Sequence, residues 1–268
     1  MCYAVDEVRN MPNENKPAQV HSVAKAMELI EALLKRRAPM TLAELSAALG
    51  YPKSTIHGLL STLRDYGMVA QNPDGRYALG VRLFECGCAV SEGWDVSKVA
   101  RPYLERLSAK AGGSSFLSIL EGDYVISFDQ CTGNVGVQVV PEIGSRLPLH
   151  ATSQGKLLLS HLSLSEARKR LLAAGLPPYT PHTITDVNSL LDGMQWVRER
   201  GYAVEDGEYK IGLRSVSAPV RDSLGAVRYA IGAVGLFRRV QSEEFQLAIE
   251  ETVATADALS ASLGWNGK

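Results

Sequence analysis

The chain has 268 residues, 46% of them hydrophobic, enough to bury a sizeable core in one large domain or two modest ones. A formal net charge of -1 excludes a protein that coats nucleic acid indiscriminately, so any contact with DNA must be local. The four cysteines, Cys2, Cys86, Cys88 and Cys131, lack paired CxxC spacing, which predicts reduced thiols, no metal or other cofactor, and small-residue packing for Cys86 and Cys88.

Residues 1–19 are polar, with Pro12 and Pro17 and no apolar run, and predict a disordered arm rather than a signal peptide. From residue 21 to 37, Val23, Ala26, Met27, Ile30, Leu33 and Leu34 recur at three and four, the period of an amphipathic helix that stops before Pro39. Thr41 followed by Glu44 spells a capping box opening a short helix, which Gly50 ends. A third helix is expected over 54–66, with Ile56, Leu59, Leu60 and Leu63 inward. Extended residues 68–71 and 77–79 flank the turn Asn72-Pro73-Asp74-Gly75 and predict a hairpin wing. Two further helices, over 81–90 and 96–110, are expected to break at Gly93, with a kink at Pro102.

Beyond Gly113 the period shortens to two. Segments 116–120, 124–129 and 135–140 predict half-buried strands, helices follow over 153–162, 165–174 and 187–200, and strands return at 202–205, 214–221 and 226–234 before a closing helix over 242–263. The fold class is therefore α+β, three helices and a wing followed by a mostly antiparallel sheet domain. The longest apolar stretch, 227–237, is short and carries Arg228, so no membrane span is expected.

On a helical wheel the third helix turns Ser54, Gly58 and Ser61 outward, flanked by His57 and Thr62. A solvated face would normally carry Lys and Glu. Short hydrogen-bonding side chains instead suit a helix entering the major groove, about 12 Å wide. The segment 20–80 carries seven Lys and Arg against five acidic residues, a locally basic balance. Lys53, the helix N-terminus and Arg76 on the wing are placed to take phosphates. The candidate DNA contacts are thus Thr41, Lys53, Ser54, Thr55, His57, Gly58, Ser61, Thr62 and Arg76. The competing reading is a three-helix module that binds protein.

The run from His150 to Lys156 precedes an apolar helix, and its N–H groups form a ready anion site at that helix's N-terminus. Ser153 and Lys156 also match the Ser-x-x-Lys spacing of acyl-transfer enzymes, but Ser22 and Lys25 match it too, and the companion motifs are absent. There is no nucleophile elbow, HExxH pair, Walker loop or GxGxxG fingerprint. His150, His161 and His182 are scattered without metal-ligand spacing, and an enzyme is not expected.

The runs HSVAKAMELIEALL, LAELSAALGYPKSTIHGLLSTLRDYGMV and YALGVRLFECG, followed in order by LPLHATSQGK, RGYAVEDGEYKIGLRSVSAPVRD and GAVRYAIGAVG, resemble the IclR family of bacterial regulators over about residues 20–265. The resemblance implies a winged helix-turn-helix DNA-binding domain (20–80), linker helices (81–112) and a GAF/profilin-like effector-binding domain (113–268). It also implies a cytoplasmic homodimer or dimer of dimers on pseudo-palindromic double-stranded operator DNA, with a small-molecule effector setting its hold. A repressor of a catabolic operon is the expected role, with an activator or a non-DNA-binding adaptor as alternatives. Where the family usually has Arg after Thr-x-His, this chain has Gly58. Carried over by motif, the effector pocket comprises Val139, Ser153, Gln154, Glu205, Leu213, Ser215, Gly232 and Val234. Ser215 often stands as Cys in relatives, Glu205 as Asp, and Gly232 and Val234 as Ser. Polar Glu205 and Gln154 beside apolar Val139, Leu213 and Val234, with room left by Gly136 and Gly232, suggest a carboxylic or aromatic acid larger than three carbons.

Overall fold

The computed structural model describes residues 20–92, 95–133 and 142–267, with 90–92 and 95 by backbone alone. The expected arm, the break at Gly93 and the strand 135–140, including Gly136 and Val139, lie outside the described residues. The chain falls into two compact units, one ending at Gly93 and the other beginning at Trp94.

In the first unit, α1 (His21–Arg36), α2 (Leu42–Leu49) and α3 (Lys53–Asp65) enclose a core of Leu29, Leu33, Leu45, Ile56 and Leu60, closed by Val69 and Tyr77 of the wing. The capping box at Thr41 forms as its spelling predicts: Glu44 N–H donates to Thr41 Oγ1 at 3.2 Å, and Glu44 Oε2 accepts from Thr41 N–H at 2.7 Å. Gly50 then takes φ 71°, a left-handed turn open to glycine, and directs the chain into α3. Tyr51 staples that turn to α1, donating to Glu28 Oε2 at 2.6 Å. The wing pairs β1 (Val69–Gln71) antiparallel to β2 (Tyr77–Leu79), and Met40 extends it through two hydrogen bonds to Tyr77 of 2.7 and 2.8 Å. The next helix, α4 (Val81–Glu92), leaves its apolar face uncovered, Val81 being 71% and Phe84 72% exposed. Cys86 and Cys88 are free and exposed on it, not packed as expected.

The second unit is one six-stranded antiparallel sheet in the order β5-β4-β3-β8-β7-β6. Its strands are β3 (Ser114–Glu121), β4 (Tyr124–Cys131), β5 (Arg146–Pro148), β6 (Ala203–Asp206), β7 (Arg214–Arg221) and β8 (Val227–Gly235). The helices α5 (Asp95–Ala111) and α9 (Glu243–Ser262) pack Leu104, Leu107, Phe245 and Leu259 against Val216, Ala218, Ile231 and Ala233. A second core joins α6 (Ser153–Ser160), α7 (Leu164–Ala174) and α8 (Val187–Arg200) to Val125, Leu147, Ala203 and Ala230.

Two expectations change. Strand β3 is not half-buried: it lies between β4 and β8, and residues 114–118 are all buried. Strand β5 was not legible, because three residues are too few to show alternation. Pro102 sits within α5, which continues through it to Ala111. In β7, Pro219 is tolerated because β6 pairs only as far as Ser217, leaving one side of the strand without a ladder partner beyond it.

Candidate functional site

The first candidate surface is built on α3. Ile56 and Leu60 anchor the helix in the core while Ser54, His57, Gly58 and Thr62 are exposed and Thr55 and Ser61 half-buried. Ser46 on α2 holds the incoming turn by donating to Tyr51 O at 2.7 Å. The helix starts at Pro52, which contributes no side-chain cap, whereas α2 is capped by Thr41. The first N–H groups of α3, beside exposed Lys53, therefore have no capping side chain and can meet a phosphate. A Cβ added at Gly58 would meet nothing within 4 Å, so no packing inside the unit demands a glycine there. Thr62 donates to the Gly58 carbonyl at 3.1 Å, which folds its hydroxyl back on the helix.

Two further candidate contacts have intramolecular partners. The Thr41 hydroxyl belongs to the capping box, donating to Glu44 Oε2 at 2.9 Å. Arg76 stands between Glu44 (3.3 Å) and Asp74 (3.6 Å), so part of its charge is already answered on the protein. Arg64, absent from the sequence-derived set, reaches the wing by donating to Gln71 Oε1 at 3.0 Å. Its place one turn past Ser61 was the available signal.

The second site lies where β6, β7 and β8 meet α6. Register brings Glu205 opposite Ser215 and Ser215 opposite Val234. Glu205 is buried; its Oε1 accepts from the N–H groups of Glu208 (2.7 Å) and Tyr209 (3.1 Å), and its Oε2 from Ser215 Oγ (3.2 Å). Burial pushes its carboxyl up to about 7, against the lowering effect of the two N–H donors. The Glu208 carboxylate reinforces the rise and the Lys156 ammonium opposes it. Lys156 is itself bound to Glu208 Oε1 at 2.5 Å, so the Ser-x-x-Lys spacing sets no base against Ser153. Ser153 meets Ser217 at 2.8 Å instead.

Around Glu205 the described residues enclose a cavity of about 20 Å³, lined among others by Gln154, Leu213, Ser215 and Val234. That is room for about one water. Five of the eight carried-over residues therefore share a wall. Ser153 and Gly232 do not: a Cβ on Gly232 would lie 2.4 Å from the Phe116 ring, so the space this glycine leaves is filled by Phe116, not by a ligand. Phe116, Leu147, Thr152 and Tyr209 complete the wall and were not foreseen. Tyr209 arrives because the segment after β6 folds back on itself, Gly207 N–H donating to Leu213 O at 2.9 Å, with Gly207 and Gly212 both at positive φ. Those two glycines were the signal. At the start of α6, Gly155 admits the Leu149 backbone, which a Cβ would meet at 2.3 Å.

Two of the histidines bond to main-chain carbonyls, His150 Nε2 to Pro177 O at 3.1 Å and His161 Nδ1 to Leu157 O at 3.0 Å, and burial lowers both imidazoles below their usual range. Among the described residues, no three His, Cys, Asp or Glu gather as a metal site, and no helix is long and apolar enough to cross a membrane.

Residues 22–73 match the IclR helix-turn-helix domain and residues 88–261 the bacterial transcriptional regulator IclR C-terminal domain. The chain is 31% identical to the HTH-type transcriptional regulator XynR of Escherichia coli, covering 92% of this chain and 98% of that one. It is 30% identical to the HTH-type transcriptional repressor AllR of Escherichia coli over 96% of each. Among solved structures, an IclR homolog from Microbacterium hydrocarbonoxydans complexed with 4-hydroxybenzoate superposes with a TM-score of 0.79 at 25% identity, covering 90% of this chain and 98% of that one.

Proposed function

Because this chain belongs to the IclR family of bacterial transcriptional regulators, we propose that it is a cytoplasmic repressor of a catabolic operon whose hold on its operator changes when a small organic acid binds beside Glu205. The family membership makes it a DNA-binding regulator and not an enzyme. The observation that carries the finer reading is a polar cluster, Glu205, Ser215 and Gln154, buried in the second unit of a chain whose first unit carries a reading helix. Such a buried polar set is costly to maintain in a core and suits a ligand that exchanges hydrogen bonds with it. The repressor named among its relatives favours that sign of regulation, and the neighbour bound to 4-hydroxybenzoate favours an aromatic acid.

DNA contacts are assigned to Lys53, Ser54, Thr55, His57, Gly58, Ser61 and Thr62, with Thr41 and Arg76 at the margins. The uncovered apolar faces of α4 (Val81, Phe84) and α1 (Val23, Met27) support a homodimer or dimer of dimers, which would place two reading helices about 34 Å apart on a two-fold site. Footprinting the full chain on DNA flanking its own gene tests this. Paired half-sites about 10 base pairs apart are expected. Failure to protect any segment, with retained binding to another protein, would make it an adaptor, and protection upstream of a promoter it stimulates would make it an activator.

A further inference from the structure

Helix α3 carries Lys or Arg at its two ends only: Lys53 opens it, Arg64 stands in its last turn, and neither type lies between them. Eleven residues apart, at about 100° and 1.5 Å each, the two fall about 20° apart on the helical wheel and about 16 Å apart along the axis. We propose that Arg64 is a DNA phosphate contact held in place by Gln71 of the wing, so that helix and wing meet the DNA backbone as one body.

The proposal rests on α3 being the reading helix, and adds to that surface a contact and the residue that positions it. Charge argues first. Arg76 on the wing has carboxylates on two sides, Glu44 at 3.3 Å and Asp74 at 3.6 Å. Arg64 has none: its bonded partner is the neutral amide of Gln71, and no carboxylate among the described residues pairs with it. Its charge is left for an anion from outside, and a guanidinium fork suits a phosphate. The span of about 16 Å exceeds the major groove's width of about 12 Å, so Lys53 and Arg64 are far enough apart to meet phosphates on its two walls.

Geometry argues second. Arg64 Nη1 donates to Gln71 Oε1 at 3.0 Å, and Gln71 Nε2 donates to Gly75 O at 3.3 Å. A guanidinium only donates and a carbonyl only accepts, so the Gln71 amide fits between them one way round. Gly75, at φ 81°, closes the wing turn by donating to Asn72 O at 2.9 Å. The chain of bonds therefore runs from the last turn of α3 through β1 to the tip of the wing. Arg64 and Gln71 are both exposed, so the pairing serves no core. An exposed arginine loses rotamer freedom when it meets a phosphate, and one already bridged to the wing has less to lose.

Titration of the full chain against a fluorescein-labelled DNA duplex of mixed sequence, at stepped KCl concentrations, tests the assignment. Arg64→Ala is expected to weaken binding about tenfold at low salt and to flatten the plot of log K against log[KCl] by about 0.9, the loss of one phosphate. Arg64→Lys keeps the charge and should restore the slope. Gln71→Ala should weaken binding about threefold with the slope kept, and should do nothing further in the Arg64→Ala background. A slope unmoved by Arg64→Ala overturns the contact. A Gln71→Ala loss that persists in full beside Arg64→Ala overturns the positioning role, because Gln71 then acts without Arg64. Lys53→Ala separates these failures from that of the reading helix. If Lys53→Ala flattens the slope and Arg64→Ala does not, α3 still reads DNA and Arg64 takes no part. If neither variant moves the slope, or the parent chain leaves the duplex unbound, the α3 surface falls with the proposal.

Discussion

Gly58 sits mid-helix on an exposed face with open space where a Cβ would be, so its cost to the helix is not offset by anything inside the unit. Gly58→Ala is therefore expected to stabilise the first unit by about 0.5–1 kcal/mol in urea denaturation. If the bare backbone serves close approach to the groove, the same variant binds operator more weakly. A variant both more stable and equally tight would remove docking as the reason for the glycine. Glu205 makes a second single-residue prediction. Its carboxyl rises from 4.5, the usual glutamate value, to about 7 on folding, so the folded chain keeps a proton that the unfolded chain has lost between those pH values. The stability from that proton is complete below pH 4.5 and drains away as pH climbs to about 7. The neutral variant Glu205→Gln should flatten that decline, by on the order of 1–3 kcal/mol across the window. Parallel stability curves for variant and parent would contradict the raised carboxyl.

At the scale of elements, local grammar was legible wherever one residue type has one physical use. The Thr41–Glu44 box, Gly50 at positive φ and the Asn72–Gly75 turn all form as spelled. Thr41→Ala should accordingly cost about 1 kcal/mol, read as a lower urea midpoint, and no change would show that the packing of Leu45 carries α2 alone. What sequence could not show is what arrives from far along the chain. Alternation in β3 predicted one wet face, but the helices α5 and α6 both pack against the strand. Gly232 read as space for a ligand, yet Phe116, more than a hundred residues earlier, fills that space through the β3–β8 register. The motif placed Ser153 in the pocket, but a neighbouring serine on β7 takes its hydroxyl. Of the five carried-over residues that share the cavity, Glu205, Ser215 and Val234 are aligned by the adjacency of β6, β7 and β8 in the sheet, whereas Gln154 arrives on α6 and Leu213 just ahead of β7.

For the whole molecule, a chain of net charge -1 must confine its DNA affinity to a local surface, which the proposed homodimer would present twice. If the exposed apolar face of α4 is the dimer contact, Phe84→Glu is expected to shift the sedimenting species toward monomer and to weaken operator binding steeply. An unchanged sedimentation profile would move the dimer contact elsewhere. The central claim is that a ligand in one unit governs the DNA-binding of the other. Fluorescence anisotropy on the mapped operator, with and without a bound aromatic acid, measures it most directly. The account predicts at least a tenfold change in operator Kd, equivalent to about 1.4 kcal/mol of coupling, abolished by Glu205→Ala. An acid that binds the protein yet leaves operator Kd unchanged would contradict it.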